Sequence, residues 1–185
     1  MPRSVHRSRA IGLAIAMALA LLLLIPIASA SASGGVNPDG EGTNSETVPG
    51  SKAKLVKGKA VAPAEAPKRV QKVIASANKI RNKPYRLGGG HGKWNDRGYD
   101  CSGAVSYALH GAKLLNTPLD SSGLARYGQK RKGQWITVYG ASGHAYMVVA
   151  GLRFDTSMVK GNGPGWSKQM RSTPESYKAR HPRGL

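Results

Sequence analysis

Residues 99–107 contain the single cysteine of this 185-residue chain, Cys101. An apolar pattern of helical period follows it, with Val105, Ala108 and Leu109 at the spacing of one helix face. A cysteine in the first turn of a helix faces unpaired backbone N–H groups and the positive end of the helix dipole. Both stabilise a thiolate, so we expect the pKa of Cys101 to lie below its usual value of about 8.5.

A thiolate of this kind is a nucleophile that requires a base, and His144 is the candidate. It opens the apolar run 144–150, which is typical of a β-strand. A lone cysteine is more often a small buried hydrophobe, and that alternative stays open on these residues alone. An exported protein needs a reason to keep an unpaired thiol, however, and this favours the catalytic interpretation.

Hydrophobic periodicity indicates the elements that would position these two residues. A helical stripe predicts a first helix over 69–80, and the cysteine helix is expected over 101–115, followed by a loop-rich stretch. The β-branched and apolar content predicts three strands, over 134–139, 144–150 and 152–156. Two helices followed by a hairpin-rich sheet give the α+β class.

Two other segments lie outside these elements. The glycines at 88–90 allow positive φ angles and the close approach of another chain segment, which favours the wall of a cleft over a flexible loop. His91 follows them and is interpreted as a solvated loop residue rather than as part of the cleft. The tail from residue 157 is expected to be irregular, with an edge element around 166–170.

The chain divides into three predicted parts. Residues 1–30 combine a basic start, an apolar run and a small-residue cleavage site, which predicts a signal peptide or, if uncleaved, an N-terminal anchor. Residues 31–67 are poor in bulky apolar side chains and are predicted to be a flexible linker. Residues 68–185 are predicted to form a single domain.

The chain carries a formal net charge of +19 at pH 7, which favours anionic partners. For an exported protein these would be anionic wall polymers or a membrane surface. The basic residues are scattered and no nucleic-acid motif is present, so no nucleic-acid partner is expected. With one cysteine and no His-Glu-x-x-His spacing, the sequence predicts no metal site and no cofactor.

Three motifs in this order resemble those of the NlpC-type cell-wall cysteine peptidases. They are Pro84-Tyr85-x-x-Gly88-Gly89, Tyr99-Asp100-Cys101-Ser102-Gly103, and Gly143-His144 at the head of an apolar strand. The resemblance covers roughly residues 68–156. It implies a papain-like α+β domain, with the nucleophile at a helix start and the helices packed on a small antiparallel sheet.

The resemblance also implies roles for individual residues. Cys101 would be the nucleophile and His144 the general base. Asp155, on the strand after the base, would be the third catalytic residue, accepting the proton of His144 Nδ1 and stabilising the imidazolium. The substrate-binding residues would be Tyr85, Asp100 and Ser102, which match positions that hold the free amine of the first alanine of a stem peptide.

The function implied is hydrolysis of amide bonds in peptidoglycan stem peptides by a secreted or wall-associated enzyme that is expected to be a monomer. Two alternatives remain open. The same fold could act as an amidase or acyltransferase on wall or lipid substrates, or it could be a catalytically silent wall-binding domain.

Overall fold

Both predicted helices form, and they pack against each other. The computed structural model describes residues 46–157, 163–172 and 176–185, all within one unit that spans Gly42–Leu185. Helix α1 runs over Lys68–Ile80 and buries the predicted apolar stripe. Helix α2 runs over Cys101–His110 and is buried along most of its length. The predicted signal peptide, residues 1–30, lies outside the described residues.

Helix α2 ends five residues earlier than predicted. Gly111 forms its C-terminal cap, and the N–H of Leu114 returns to the carbonyl of Leu109. Lys113 adopts a φ of 56°, the left-handed conformation that commonly closes a helix. The apolar pattern continues to Leu115, but this turn redirects the backbone before the pattern ends.

A six-stranded antiparallel sheet faces the helices, and α2 packs on its central strands. The three predicted strands are confirmed as β5, β6 and β7, so the α+β class is confirmed as well. The loop-rich stretch before them contains a short helix, α3, over Ser121–Leu124. The strands, in the order β4-β9-β5-β6-β7-β8 across the sheet, are β4 Gln129–Lys130, β5 Ile136–Ala141, β6 His144–Val149, β7 Leu152–Asp155, β8 Gly165–Ser167 and β9 Lys178–His181.

The tail is more regular than predicted. The expected edge element around 166–170 is present as β8, which pairs with β7 at one edge of the sheet. Strand β9 was not predicted, and it lies inside the sheet between β4 and β5. Its residues Lys178, Ala179, Arg180 and His181 are exposed or half-buried, so the apolar pattern that marks a buried strand is absent.

A second, three-stranded sheet corrects the predicted linker. Strands β1 Thr47–Val48, β2 Lys54–Val56 and β3 Lys59–Pro63 pair in the order β1-β3-β2, and β3 packs on α1. The side-chain amide of Asn78 on α1 bonds both backbone groups of Ala60, at 3.1 and 2.8 Å. The linker prediction is therefore wrong for 47–63, because the strand pairs order this segment and the small side chains of Ala60 and Ala62 are buried in the core.

The described residues contain no helix that is both long and apolar enough to cross a lipid bilayer. Their apolar core joins α1, α2 and the inner face of the larger sheet, and the first residues of α2 are buried beside it. Cys101 on α2 and the first residue of β6 therefore belong to two elements that pack directly on each other.

Candidate active site

The nucleophile candidate lies at the first position of α2. Asp100 caps this helix, because its Oδ1 accepts a hydrogen bond from the Gly103 N–H at 2.7 Å. Cys101 itself is buried, with 8% of its surface exposed. The position of Cys101 is as the sequence predicted, and it leaves the thiol at the positive end of the helix dipole.

The glycine segment packs directly on this helix start. Gly88 and Gly90 have φ angles of 74° and 85°, which only glycine adopts readily. The carbonyl of Gly89 accepts from the Asp100 N–H at 3.2 Å and also lies where a Cβ on Gly103 would be. The segment is thus a fitted wall beside Cys101, as predicted, and Gly103 cannot be enlarged without moving it.

His144, the first residue of β6, faces the thiol. Burial alone would raise the pKa of Cys101, but hydrogen bonds from the His144 side chain and the Ala145 N–H, together with the charge of His144, lower it below the usual value. The hydrogen bond to Asp155, with that to Cys101, raises the pKa of His144 to about 9. The arrangement therefore favours a thiolate–imidazolium pair.

Asp155, on β7, lies against the other side of the imidazole. Its Oδ1 is 3.0 Å from His144 Nε2, and its side chain is fully buried. Burial would raise the pKa of this carboxyl, but hydrogen bonds from His144 and Ser157 hold it at about 2. The sequence-based expectation that Asp155 accepts the Nδ1 proton is wrong, because Nε2 is the ring nitrogen within hydrogen-bond distance of the carboxylate.

Two residues that the sequence analysis missed complete this side of the site. Ser157 donates to Asp155 Oδ2 through its hydroxyl at 2.9 Å. Arg171 Nη1 donates to the same oxygen at 3.0 Å and lies 2.9 Å from His144 Nε2. Since a protonated Nε2 is also a donor, the last distance reflects two donors converging on one carboxylate. No periodic signal marked Arg171, which lies outside the helices and strands.

The predicted substrate-binding residues also lie near Cys101, since Asp100 and Ser102 flank it in the chain and the charge of Cys101 acts on Tyr85. Tyr85 is 40% exposed, and partial burial together with the negative charges of Cys101 and Asp100 raises its pKa. Ser102 donates to Asp100 Oδ1 at 3.1 Å. His91, which was interpreted as a solvated loop residue, instead contacts both Asp100 Oδ1 at 3.0 Å and Ser102 Oγ at 3.2 Å.

Aromatic rings border the imidazole. Tyr177 meets His144 edge to face at 6.4 Å between ring centroids, and Tyr146 also lies 6.4 Å from it. Arg171 lies over the Tyr146 ring, 5.7 Å from its centroid. The side chain of His144 beside these rings remains 23% exposed.

The geometry can support acyl transfer through a covalent thioester. A thiolate, a base hydrogen-bonded to it and a carboxylate that orients the base are the three parts such chemistry requires. Within the described ranges, no group of three or more His, Cys, Asp and Glu side chains is arranged so that it could hold a metal ion. His91 and His144 each contact a carboxylate, which accepts a hydrogen bond from the ring.

Comparison of the sequence with protein-family models and with curated proteins finds no match. Comparison with solved structures finds several similar chains at low identity. The peptidoglycan hydrolase RipB from Mycobacterium tuberculosis is 22% identical, with a TM-score of 0.47, covering 61% of this chain and 64% of that one. The P60 domain of an antigen from M. avium subspecies paratuberculosis is 19% identical, with a TM-score of 0.49, covering 61% and 94%.

A third similar structure is RipD from M. tuberculosis, described as a non-catalytic NlpC/p60 domain protein adapted to peptidoglycan binding. It is 23% identical, with a TM-score of 0.46, covering 62% of this chain and 98% of that one. The chain spans less than two thirds of RipB and of the other long mycobacterial chains that it matches. The chain is thus similar, at low sequence identity, to NlpC/p60 domain proteins, the group that its sequence motifs resemble.

Proposed function

We propose that the chain is an exported cysteine endopeptidase that hydrolyses amide bonds in peptidoglycan stem peptides. The observation that carries the proposal is the contiguous series Cys101–His144–Asp155, in which His144 hydrogen-bonds the thiol and contacts a fully buried carboxylate. A structural cysteine would have no need of a base whose pKa is raised to about 9.

In the first half-reaction the Cys101 thiolate attacks the carbonyl carbon of the scissile amide. The negative charge that develops on the carbonyl oxygen would be stabilised by the backbone N–H of Cys101 at the helix start. His144 then donates its Nδ1 proton to the leaving nitrogen as the C–N bond breaks. The products are a free amine and a thioester on Cys101.

In the second half-reaction a water molecule replaces the amine. Neutral His144 removes a proton from the water through Nδ1, and the resulting hydroxide attacks the thioester carbon. The C–S bond breaks, the carboxylic acid leaves, and the thiolate–imidazolium pair is restored. Throughout, Asp155 keeps the second proton of the imidazole on Nε2, so Nδ1 is always the nitrogen that exchanges a proton.

The substrate class follows from several observations of unequal weight. The ordered motifs resemble those of cell-wall peptidases, and the net charge of +19 suits an anionic polymer. Among the similar solved structures, RipB is described as a peptidoglycan hydrolase, and RipD as a non-catalytic protein of peptidoglycan-binding function. The signal peptide predicted over residues 1–30 would direct export of the enzyme to this substrate. These features support peptidoglycan as the partner.

The decisive experiment digests purified peptidoglycan with the full chain and with Cys101→Ala, and identifies the fragments by mass spectrometry. New free amines on the diamino acid, absent with the variant, would establish the endopeptidase and locate the bond. Release of intact stem peptides from the glycan would indicate an amidase. Binding to peptidoglycan without fragments from either protein would overturn the proposal in favour of a silent wall-binding domain.

A further inference from the structure

A groove of about 520 Å³ lies between β3 and α1, and none of the candidate site residues lines it. It forms because β1 pairs only with Ala62 and Pro63, which leaves the earlier residues of β3 without a neighbouring strand on that side. The side-chain amide of Asn78 takes the place of that strand by bonding the backbone N–H and carbonyl of Ala60. The volume lies in the range of about 300–1,000 Å³ that is typical of ligand sites, and it far exceeds the roughly 30 Å³ of one water molecule.

The rim of the groove is cationic. Lys59 on β3 lines it together with Lys79 and Arg81 at the end of α1, and Glu46 is the only carboxylate among the described residues that line it. None of the ion pairs in the described part of the chain involves these three cations. Helix α1 itself contains no Asp or Glu that could neutralise them. Positive charges gathered around a concave surface attract an anionic ligand.

The floor of the groove is apolar. Ile74 is buried there and Ala75 is half-buried, while the amide of Asn78 is already engaged with the backbone of Ala60. A cationic rim over an apolar floor suits a ligand that carries carboxylates beside small apolar groups. A stem peptide has this chemistry, because it combines carboxylates with the methyl groups of alanine. A phosphodiester polymer would supply the charge but would leave the floor uncovered.

The wall of the groove is joined to the strand that carries Asp155. Asn78 Oδ1 also accepts from Trp166 Nε1 at 3.1 Å. Trp166 lies on β8 directly after Gly165, and Gly165 pairs with Asp155 on β7. Helix α1 and β8 also contact each other. The groove and the catalytic carboxylate therefore belong to one set of packed elements, so a polymer held in the groove would have a fixed position relative to the active site.

We propose that this groove is a second, non-catalytic binding site that holds one stem peptide of peptidoglycan while another stem peptide of the same polymer is cleaved at Cys101. The inference rests on the proposed peptidase function and adds an anchoring site to it. Carboxylates of the anchored peptide contact the cationic rim, and its alanine methyl groups lie against Ile74 and Ala75. The groove therefore tightens binding of the polymer, which carries many stem peptides, and leaves the chemistry on a single short peptide unchanged.

The test compares purified peptidoglycan with a short synthetic peptide of alanine, γ-linked D-glutamate and diamino acid. The triple variant Lys59→Gln/Lys79→Gln/Arg81→Gln should raise the apparent KM on the polymer about tenfold, which is the combined effect of losing three exposed charge contacts. It should leave kcat/KM on the short peptide unchanged, because that peptide reaches Cys101 without the groove. An unchanged KM on the polymer would overturn the anchoring site.

Two further variants test the location and the shape of the site. Arg126→Gln/Lys130→Gln/Lys132→Gln removes the same residue types in and beside β4, and this matched control should leave the apparent KM near that of the unmodified chain. Ala75→Leu keeps every charge but fills the groove, so it should raise the KM as the groove variant does. Equal rises in the two triple variants would overturn the groove as a site, because the net charge alone would then explain them.

Sedimentation of Cys101→Ala with purified peptidoglycan separates this inference from the proposed function. Weaker binding when the three groove substitutions are added, with no cleavage of either substrate by the unmodified chain, would support the anchoring site and overturn the peptidase. Equal binding with and without those substitutions, with cleavage by the unmodified chain, would overturn the anchoring site and retain the peptidase. Competition by polyphosphate as strong as that by the short peptide would overturn the stem peptide as the ligand.

Discussion

The structure contains two histidine–aspartate pairs near Cys101, and in each of them Nε2 is 3.0 Å from a carboxylate oxygen. In one pair, His144 hydrogen-bonds the thiol in addition to Asp155. In the other, His91 contacts Asp100 and Ser102 and makes no contact with the thiol among those the structure gives. The same pair of residue types at the same distance therefore has two different surroundings.

What differs is the set of partners beyond the pair. Asp155 accepts from Ser157 and Arg171, which leaves it ionised and free to orient an imidazolium. Asp100 instead accepts hydrogen bonds from the Gly103 N–H, which caps α2, and from the Gly88 N–H of the glycine segment. A histidine that is hydrogen-bonded to a carboxylate can act as a base where its second nitrogen faces a reacting atom. Where it does not, the histidine only forms a hydrogen bond with the carboxylate.

Removing each histidine in turn should separate the pairs most sharply. We expect His144→Ala to lower kcat/KM on peptidoglycan by about a thousandfold, because both proton transfers are lost. His91→Ala should lower the rate on the same polymer by less than about tenfold, since no proton passes through it. Fragment release measured by chromatography checks both variants, with thermal unfolding to verify that each is folded. Similar losses in the two would contradict the distinction.

Replacing the two carboxylates should change kcat and the alkylation rate less than removing His144 does, and replacing Asp155 should have the larger effect of the two. Asp155→Asn removes the charge that stabilises the imidazolium, so kcat should fall by about a hundredfold and Cys101 should react more slowly with iodoacetamide at neutral pH. Asp100→Asn keeps a helix cap and should leave the alkylation rate of Cys101 near that of the unmodified chain. If Asp100→Asn slowed alkylation as strongly as Asp155→Asn, the assignment of the two carboxylates would be wrong.

The pH profile should report only one of the pairs. The pKa of His144 is raised to about 9, so the imidazolium persists through neutral pH and is lost as the pH rises through that value. We expect kcat/KM to fall tenfold per pH unit above about pH 9. In Asp155→Asn this alkaline limb should move to lower pH, whereas His91→Gln should leave it in place. A limb that moved with His91→Gln would contradict the assignment of His144 as the base behind it.

The smallest expected effect concerns stability rather than rate. Asp100→Ala removes the side-chain cap of α2 and the acceptor for the Gly88 N–H, so the free energy of unfolding should fall by about 1–2 kcal/mol. Asp100→Asn should lose less, because the amide oxygen can still accept from the Gly103 N–H. Urea denaturation followed by circular dichroism measures the difference, and equal losses in the two variants would argue against capping as the cause.

The sequence predicted the part of the site that local patterns encode. A cysteine at a helix start, a histidine at the head of an apolar strand and a carboxylate on the next strand are all within short, strongly patterned segments. It could not predict which imidazole nitrogen meets Asp155, because that depends on how β6 and β7 are placed relative to α2. The contacts of His91 with Asp100 and Ser102 could not be predicted either, because they depend on the backbone path of the glycine segment, which no periodic pattern indicates.

The other misses have a similar physical origin. Arg171 and Ser157 reach Asp155 from irregular backbone, where the spacing of residue types carries no directional information. The small sheet over 47–63 is rich in alanine and lysine, which individually bury little apolar area, so its composition resembles that of a linker. The register of Asn78 with Ala60, which joins this sheet to α1, is a tertiary contact between residues 18 positions apart.

The place of β9 has a consequence for the order in which the protein can mature. This strand lies between β4 and β5, yet Lys178–His181 follow every candidate site residue in the sequence. A growing chain that has already been synthesised through Arg171 holds all the catalytic parts but leaves β4 and β5 with unpaired edges. The sheet can therefore be completed only after the catalytic residues have been synthesised, and we expect a growing chain that lacks β9 to have little hydrolytic activity.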